Sequence, residues 1–131
     1  MAELRFADVA EGVRAAIAEY THAMDDGRTE DILATFCPDG SVDLPGMGTP
    51  SGHDELRAAY DKVAPRVPQR HLVTNTHVHT WSDDEARATS DVVFLLKQDD
   101  GWSVFLVGRY EDVLHRDGHR WRFHHRTASF A

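Results

Sequence analysis

The sequence predicts an α+β domain in which N-terminal helices pack on one face of an antiparallel sheet. In the first half of the chain, apolar residues recur at steps of three and four, the period of an amphipathic helix. From residue 70 onward, long runs rich in β-formers are separated by short turns containing Asp and Gly. Helices followed by consecutive hairpins indicate an antiparallel sheet that is covered by helices on one face.

Three helices are expected before residue 64. The first ends at Gly27, and its apolar stripe is Phe6, Val9, Ala10, Val13, Ala16, Ile17, Tyr20 and Met24. Thr29 is expected to cap a short second helix, which Pro38 ends, and Cys37 is expected to be a small buried residue at that helix end. The third helix opens at Asp54 and carries its own apolar stripe.

A brief strand at Val42 and Leu44 leads into a loop, 45–52, that is rich in Gly and Pro. Four long strands are expected at about 70–81, 86–97, 102–116 and 120–130. No linker, internal repeat or low-complexity run interrupts the sequence, so a single domain over residues 1–131 is expected.

The composition excludes several classes of partner. The chain has 22 acidic against 14 basic residues and a formal charge of −8, without a basic cluster, so nucleic acid and anionic membranes are not expected partners. No apolar run approaches the roughly 20 residues of a membrane helix. Because the N-terminus has no signal-peptide pattern and Cys37 is the only cysteine, a cytoplasmic location is expected.

The strand at about 70–81 is polar on both faces. One parity carries His71, Val73, Asn75, His77 and His79, and the other carries Leu72, Thr74, Thr76, Val78 and Thr80. Alternate residues of a strand share a face, and the face that lies under helices should be apolar. Either one face of this strand meets a polar cavity, or a bulge switches its parity midway.

A metal site is the weaker interpretation of the histidines. His77 and His79 share a strand face, and Glu85 is a possible third ligand. Solvated histidines at a surface or rim are the favoured interpretation, and no metal is expected. The adjacent His124 and His125 are expected to point to opposite faces, and so not to chelate together. Motifs of serine hydrolases and of nucleotide-binding loops are absent.

Four segments of the sequence form a recognisable pattern through their order and spacing: EYTHAMDDGRTEDILATFCPDG, GHDELRAAY, RHLVTN and GRYEDVLHRDGHRWRFHHR. In these segments, which span nearly the whole chain, the sequence resembles the SnoaL-like group of the nuclear-transport-factor-like superfamily. That group includes polyketide cyclases, scytalone dehydratase and bile-acid dehydratases. The resemblance implies a cone-shaped α+β barrel, with three N-terminal helices on a strongly curved antiparallel sheet that encloses a pocket. The pattern is more specific for the fold than for the reaction.

The resemblance implies a catalytic cluster of Tyr20, Asp25 and His71. An Asp bonded to one imidazole nitrogen fixes the tautomer and raises the basicity of the other nitrogen. Such a pair can abstract a proton next to a carbonyl and return it to a leaving hydroxyl. A tyrosine hydroxyl can stabilise the oxygen that becomes negative.

The resemblance also implies substrate-binding roles for Asp91 and Arg126. Asn75, which shares a strand face with His71, is expected to bind substrate as well. One feature departs from scytalone dehydratase, whose second catalytic histidine would fall near Val107 or Gly108. This departure disfavours a scytalone-like substrate and favours the arrangement of the bile-acid dehydratases.

The function expected is therefore a cofactor-independent lyase or isomerase, dehydratase- or cyclase-like, that acts on a hydrophobic steroid- or polyketide-like ketone. It requires neither a metal nor an organic cofactor. The alternative is a non-catalytic binding or assembly module, like the small subunits of ring-hydroxylating dioxygenases. A homodimer or higher homo-oligomer is expected through the outer sheet face, where Trp102 and Phe105 lie and where relatives often pair.

Overall fold

The computed structural model describes residues 4–131, which form three helices and five strands. The helices are α1 (Phe6–Asp26), α2 (Thr29–Ala34) and α3 (His53–Lys62). The strands are β1 (Phe36–Asp43), β2 (Gln69–Trp81), β3 (Glu85–Gln98), β4 (Gly101–Asp117) and β5 (Arg120–Phe130). The predicted α+β class is confirmed, and the ends of β2–β5 agree with the predicted ends to within one residue.

The long helix α1 supplies the helical side of the core. Its predicted stripe is buried except at Phe6 and Met24, and it packs mainly against β2, β5 and α2. The helix ends where Gly27 adopts a left-handed conformation (φ 69°), which costs a glycine little. The last turn before Gly27 holds Asp25 at a fixed place beside the sheet.

The predicted end of the second helix at Pro38 is wrong. Helix α2 stops at Ala34, and both Cys37 and Pro38 belong to β1. Strand β1 is an edge strand whose register with β5 shifts between Phe36 and Ser41. A proline is tolerated there because an edge strand or a bulge does not need every backbone N–H.

The sheet has the strand order β1-β5-β4-β3-β2, with β1 parallel to β5 and every other pair antiparallel. Because β1 and β2 are edges, the curved sheet is open and does not close on itself. Register shifts interrupt β2, β3, β4 and β5, and such bulges bend a sheet. The bent sheet wraps around α1.

One bulge explains the mixed polarity of β2. The register with β3 shifts between Thr74 and His77, and Asn75 adopts a positive φ of 56°. At this bulge the positions of β2 that face the helices change from odd-numbered to even-numbered residues, which is one of the two explanations considered for the mixed polarity of the strand.

Within residues 4–131, none of the helices is long and apolar enough to cross a membrane.

Candidate active site

Asp25 and His71 form a doubly bonded pair at the junction of α1 and β2. The Asp25 Oδ1 lies 2.6 Å from His71 Nδ1, and its Oδ2 accepts the His71 backbone N–H at 2.8 Å. The Asp25 side chain is 5% exposed and the His71 side chain 10%. A carboxylate only accepts hydrogen bonds, so Nδ1 carries the proton and Nε2 holds the free lone pair.

Two neighbours hold the pair in place. Gln69 donates from Nε2 to Asp25 Oδ1 (3.3 Å) and to the Met24 carbonyl (3.4 Å). The His71 ring stacks on Phe94, with 4.3 Å between centroids and 18° between planes. The ring therefore has a fixed orientation. Among residues 4–131, no group is hydrogen-bonded to the His71 Nε2.

The His71 ring lines a cavity of about 150 Å³ between the end of α1 and the concave face of the sheet. The cavity is mostly apolar, and its lining residues are Tyr20, Met24, Leu44, Pro45, Met47, Val63, Gln69, His71, Val92, Phe94, Leu106, Gly108, Tyr110 and Phe130. Val63 and Phe130 remain 41% and 42% exposed, so they mark the mouth. The volume is smaller than the roughly 300–1,000 Å³ of typical ligand pockets.

Tyr20 lines this cavity together with His71, and its hydroxyl lies 2.8 Å from the hydroxyl of Tyr60. Burial raises the pKa of the Tyr20 phenol and raises that of Tyr60 well above its ordinary value. Both phenols therefore stay protonated at neutral pH. Two hydroxyls that share one hydrogen bond retain a second proton, which one of them can donate elsewhere.

Arg126 lies in the core behind Tyr20 and is not among the residues that line the cavity. Its guanidinium makes two hydrogen bonds to Asp112, at 2.7 and 3.1 Å, and both side chains are 0% exposed. It also lies 3.6 Å from the ring centroid of Tyr110 and 4.4 Å from that of Tyr20. This geometry makes Arg126 a support for the tyrosines, and it does not favour the predicted contact with substrate.

Asp91 and Asn75 also lie away from the cavity lining. Asp91 accepts hydrogen bonds from Asn75 Nδ2 (2.8 Å) and from Arg109 Nε (2.9 Å), and these bonds lower the pKa of its carboxyl. Its neighbours in β3, Ser90 and Val92, are buried in the core, so Asp91 points to the outer face. The predicted substrate-binding roles of Asp91 and Asn75 gain no support from this placement.

The metal site considered for β2 is not assembled. The rings of His77 and His79 lie 5.8 Å apart, while Glu85 bonds His115 on β4 instead. Within the described range 4–131, no group of three ligating side chains includes His77 or His79.

Sequence reasoning missed three residues that complete the site: Gln69, Tyr60 and Phe94. Phe94 is the Cα partner of His71 across the β2–β3 ladder, so a correct register would have found it. Tyr60 is part of the apolar stripe of α3, but its contact with Tyr20 spans 40 residues and leaves no local signal.

An open, bent sheet with helices on its concave side and a buried Asp–His pair in an apolar cavity defines a small α+β pocket protein. Residues 6–127 match the SnoaL-like domain family, and the chain belongs to that family. Its similar solved structures include proteins of nuclear-transport-factor-like and cystatin-like fold. No curated protein sequence matches the chain significantly.

Three of the similar solved structures are compared by their sequence identity, their TM-score and the share of each chain that is aligned. A protein of unknown function from Mycobacterium tuberculosis is 26% identical and has a TM-score of 0.83, and the alignment covers 91% of this chain and 69% of that chain. A Catenulispora acidiphila protein in complex with S-DNPA is 26% identical with a TM-score of 0.84, over 95% and 94%. A scytalone-dehydratase-like protein from Novosphingobium aromaticivorans is 18% identical with a TM-score of 0.80, over 92% and 83%. At 18% identity, this last likeness supports the fold alone.

Proposed function

We propose that the protein is a cofactor-independent lyase or isomerase in which the Asp25–His71 pair abstracts a proton next to a carbonyl. The observation that carries this proposal is that one buried carboxylate, Asp25, is hydrogen-bonded to both His71 Nδ1 and the His71 backbone N–H. Because Nδ1 is occupied by this bond, Nε2 is the nitrogen that can act as the base, and its ring lines an apolar cavity. A general base so positioned typically contributes about 10²–10⁴-fold to rate.

The reaction follows from the positions of the residues. His71 Nε2 takes the α-proton of the ketone, and the Asp25 carboxylate stabilises the imidazolium that forms. The carbonyl oxygen gains negative charge and accepts a hydrogen bond from the Tyr20 hydroxyl, which lines the cavity and in turn accepts one from the Tyr60 hydroxyl. When a hydroxyl stands on the β-carbon, the imidazolium returns its proton to that oxygen, the C–O bond breaks, and water and an enone result. When no leaving group is present, return of the proton to another carbon gives an isomer.

The substrate class proposed is a hydrophobic ketone of steroid or polyketide type. A cavity of about 150 Å³ admits the ring that bears the carbonyl, and the remainder of a larger substrate would extend past Val63 and Phe130 at the mouth. The Catenulispora acidiphila relative, which is in complex with S-DNPA, supports a small-molecule role. Because the ketone is its own electron sink, this chemistry uses no metal or organic cofactor.

The test is a screen of β-hydroxy ketones built on cyclohexanone, tetralone and steroid rings, with loss of water followed by mass spectrometry. Wild-type protein should dehydrate at least one of them, and His71→Ala should lower its rate by about 10²-fold or more. His77→Ala, an exposed histidine on the same strand, is the matched control and should keep the rate. Equal turnover by wild type and His71→Ala would exclude the dyad mechanism.

A separate proposal concerns the exposed apolar surface of β4. Trp102, Val104, Phe105 and Val107 on β4 are between 47% and 61% exposed, an apolar group of the kind that marks interaction sites. We propose that a second copy of the chain covers this face, giving a homodimer. Light scattering should give twice the 14.7 kDa chain mass, and Phe105→Lys should restore the monomer, whereas Phe6→Lys on α1 should not. A monomeric wild type would exclude the dimer.

We also propose a reducing cytoplasm as the working location. The proposal rests on Cys37, the single cysteine of the sequence, which is present as a free thiol.

A further inference from the structure

Three potential metal ligands meet on the outer face of the sheet, away from the cavity. They are Cys37 on β1, His115 on β4 and His124 on β5, whose ligand atoms lie within 4.8 Å of one another. None of them lines the cavity. Within residues 4–131 they form the only such group of three, and we call it the Cys37 cluster.

The sheet places the cluster by strand alternation and one bulge. Phe36, Leu114 and Phe123 are fully buried in the core, so Cys37, His115 and His124 point away from it. The β4–β5 register passes from Val113 opposite His125 to Leu114 opposite Phe123, which leaves His124 as the extra residue of a bulge. The bulge turns His124 toward His115, and their rings stack at 4.2 Å between centroids.

The surroundings of the cluster match those of a metal site. His115 Nε2 lies 3.1 Å from Glu85 Oε2, which leaves Nδ1 for a metal and supplies the carboxylate partner that metal-bound histidines usually have. His124 Nδ1 is buried without a hydrogen-bond partner in residues 4–131, and an Asp39 carboxylate oxygen lies 3.9 Å from it. The nearby Arg122 is paired with Asp117, so its charge is partly neutralised.

We propose that the Cys37 cluster binds Zn²⁺. One thiolate and two imidazoles are ligands that zinc prefers, and water or Asp39 would complete a tetrahedron. Zinc–ligand bonds of about 2.0–2.3 Å put ligand atoms roughly 3.3–3.8 Å apart, so atoms that lie within 4.8 Å of one another need to approach by at most about 1.5 Å. On binding, the Cys37 thiol transfers its proton to solvent and the thiolate bonds the metal, without a change of oxidation state.

The bound ion would join the edge strand β1 directly to β4 and β5. Among the described strands, β1 is paired with β5, through a ladder that is interrupted between Phe36 and Ser41. Zinc that binds only the folded chain therefore stabilises it. At free zinc 100-fold above its dissociation constant, the melting temperature should rise by about 8 °C.

The experiment titrates metal-stripped, reduced full-length protein with Zn²⁺ against a chromophoric chelator, and separately with Co²⁺. Co²⁺ should give thiolate charge-transfer absorption in the near ultraviolet and the intense visible bands of a tetrahedral site. Cys37→Ala should abolish the charge-transfer band, His124→Ala should weaken zinc binding by more than tenfold, and Glu85→Gln should weaken it by about 10–100-fold. His77→Ala, which removes an exposed histidine outside the cluster, should bind like wild type.

Several results would overturn the proposal. These are one-to-one binding that survives Cys37→Ala, a loss in His77→Ala as large as that in His124→Ala, or cobalt spectra without a thiolate band. Melting curves of the same variants with and without zinc show whether each variant folds. If Cys37→Ala folds and zinc raises its melting temperature as much as that of the wild type, the site is also excluded. These measurements do not use enzyme activity, so they are independent of the proposed reaction.

Discussion

Asp112→Asn should destabilise the fold severely because it leaves the Arg126 guanidinium charged and unpaired in the core. Both side chains are 0% exposed, and two hydrogen bonds join them. Arginine cannot escape by losing its proton, because even an unpaired guanidinium stays charged at neutral pH. The rings of Tyr20, Tyr110 and Phe123 lie against the cation but cannot replace the negative charge.

Removing one partner of a buried ion pair costs about 3–5 kcal/mol of unfolding free energy. For a chain of 131 residues this corresponds to a fall in melting temperature of about 10–20 °C. Urea unfolding followed by circular dichroism measures the loss, with the slope against urea compared to verify that both proteins unfold in the same way. The double variant Asp112→Leu with Arg126→Met should recover most of the stability, because it removes both charges together.

Asp91→Asn is the matched control. It makes the same chemical change at a carboxylate that pairs with an arginine, but the Arg109 side chain there is 59% exposed. Water and salt screen such a pair, so the urea midpoint should change little. If Asp112→Asn were as mild as Asp91→Asn, the claim that the Arg126–Asp112 pair is buried and essential to the core would be refuted.

Two further predictions concern the tyrosines and one glycine. The three tyrosines of the sequence, Tyr20, Tyr60 and Tyr110, are all buried with pKa values raised by burial. Because the unfolded chain loses these protons near pH 10 and the folded chain keeps them, stability should be complete below that pH and fall above it. Tyrosinate absorbance should then appear only together with unfolding, whereas a tyrosine that titrates near pH 10 in the folded protein would contradict the burial. Gly12→Ala, which normally stabilises a helix by about 1 kcal/mol, should here lower the melting temperature, because its Cβ would lie 2.3 Å from Trp121 Cδ1; a higher melting temperature would show that Trp121 yields without cost.

The sequence was sufficient for the elements whose signals are local. The period of α1, the turn residues of the hairpins and the glycine at position 27 predicted α1 and β2–β5 almost to the residue. Strand β1 was only partly predicted, because Pro38 is a helix terminator by its local chemistry. Its tolerance in a strand depends on β1 being at the edge of the sheet, which is a property of the tertiary fold.

The pairing of Asp25 with His71 was expected from the resemblance, and the two side chains do lie in contact. Arg126 was expected beside the substrate, yet its Cα partner across the β4–β5 ladder is Asp112, and the pair is buried together. The Cys37 cluster was missed because Cys37 was expected at the end of a helix. It lies instead in strand β1, which pairs with β5, where His124 lies, and that pairing is a property of the tertiary fold.

The most direct test of the central claim is the exchange of α-protons for deuterium in a cyclic ketone that fits the cavity, followed by NMR in D₂O. It observes proton abstraction itself and needs no leaving group, so it does not depend on the natural substrate. Wild type and His77→Ala should catalyse exchange equally, and Asp25→Asn and His71→Ala should each be slower by about 10²–10⁴-fold. Exchange that persists at the wild-type rate in folded Asp25→Asn protein would contradict the account of the Asp25–His71 pair.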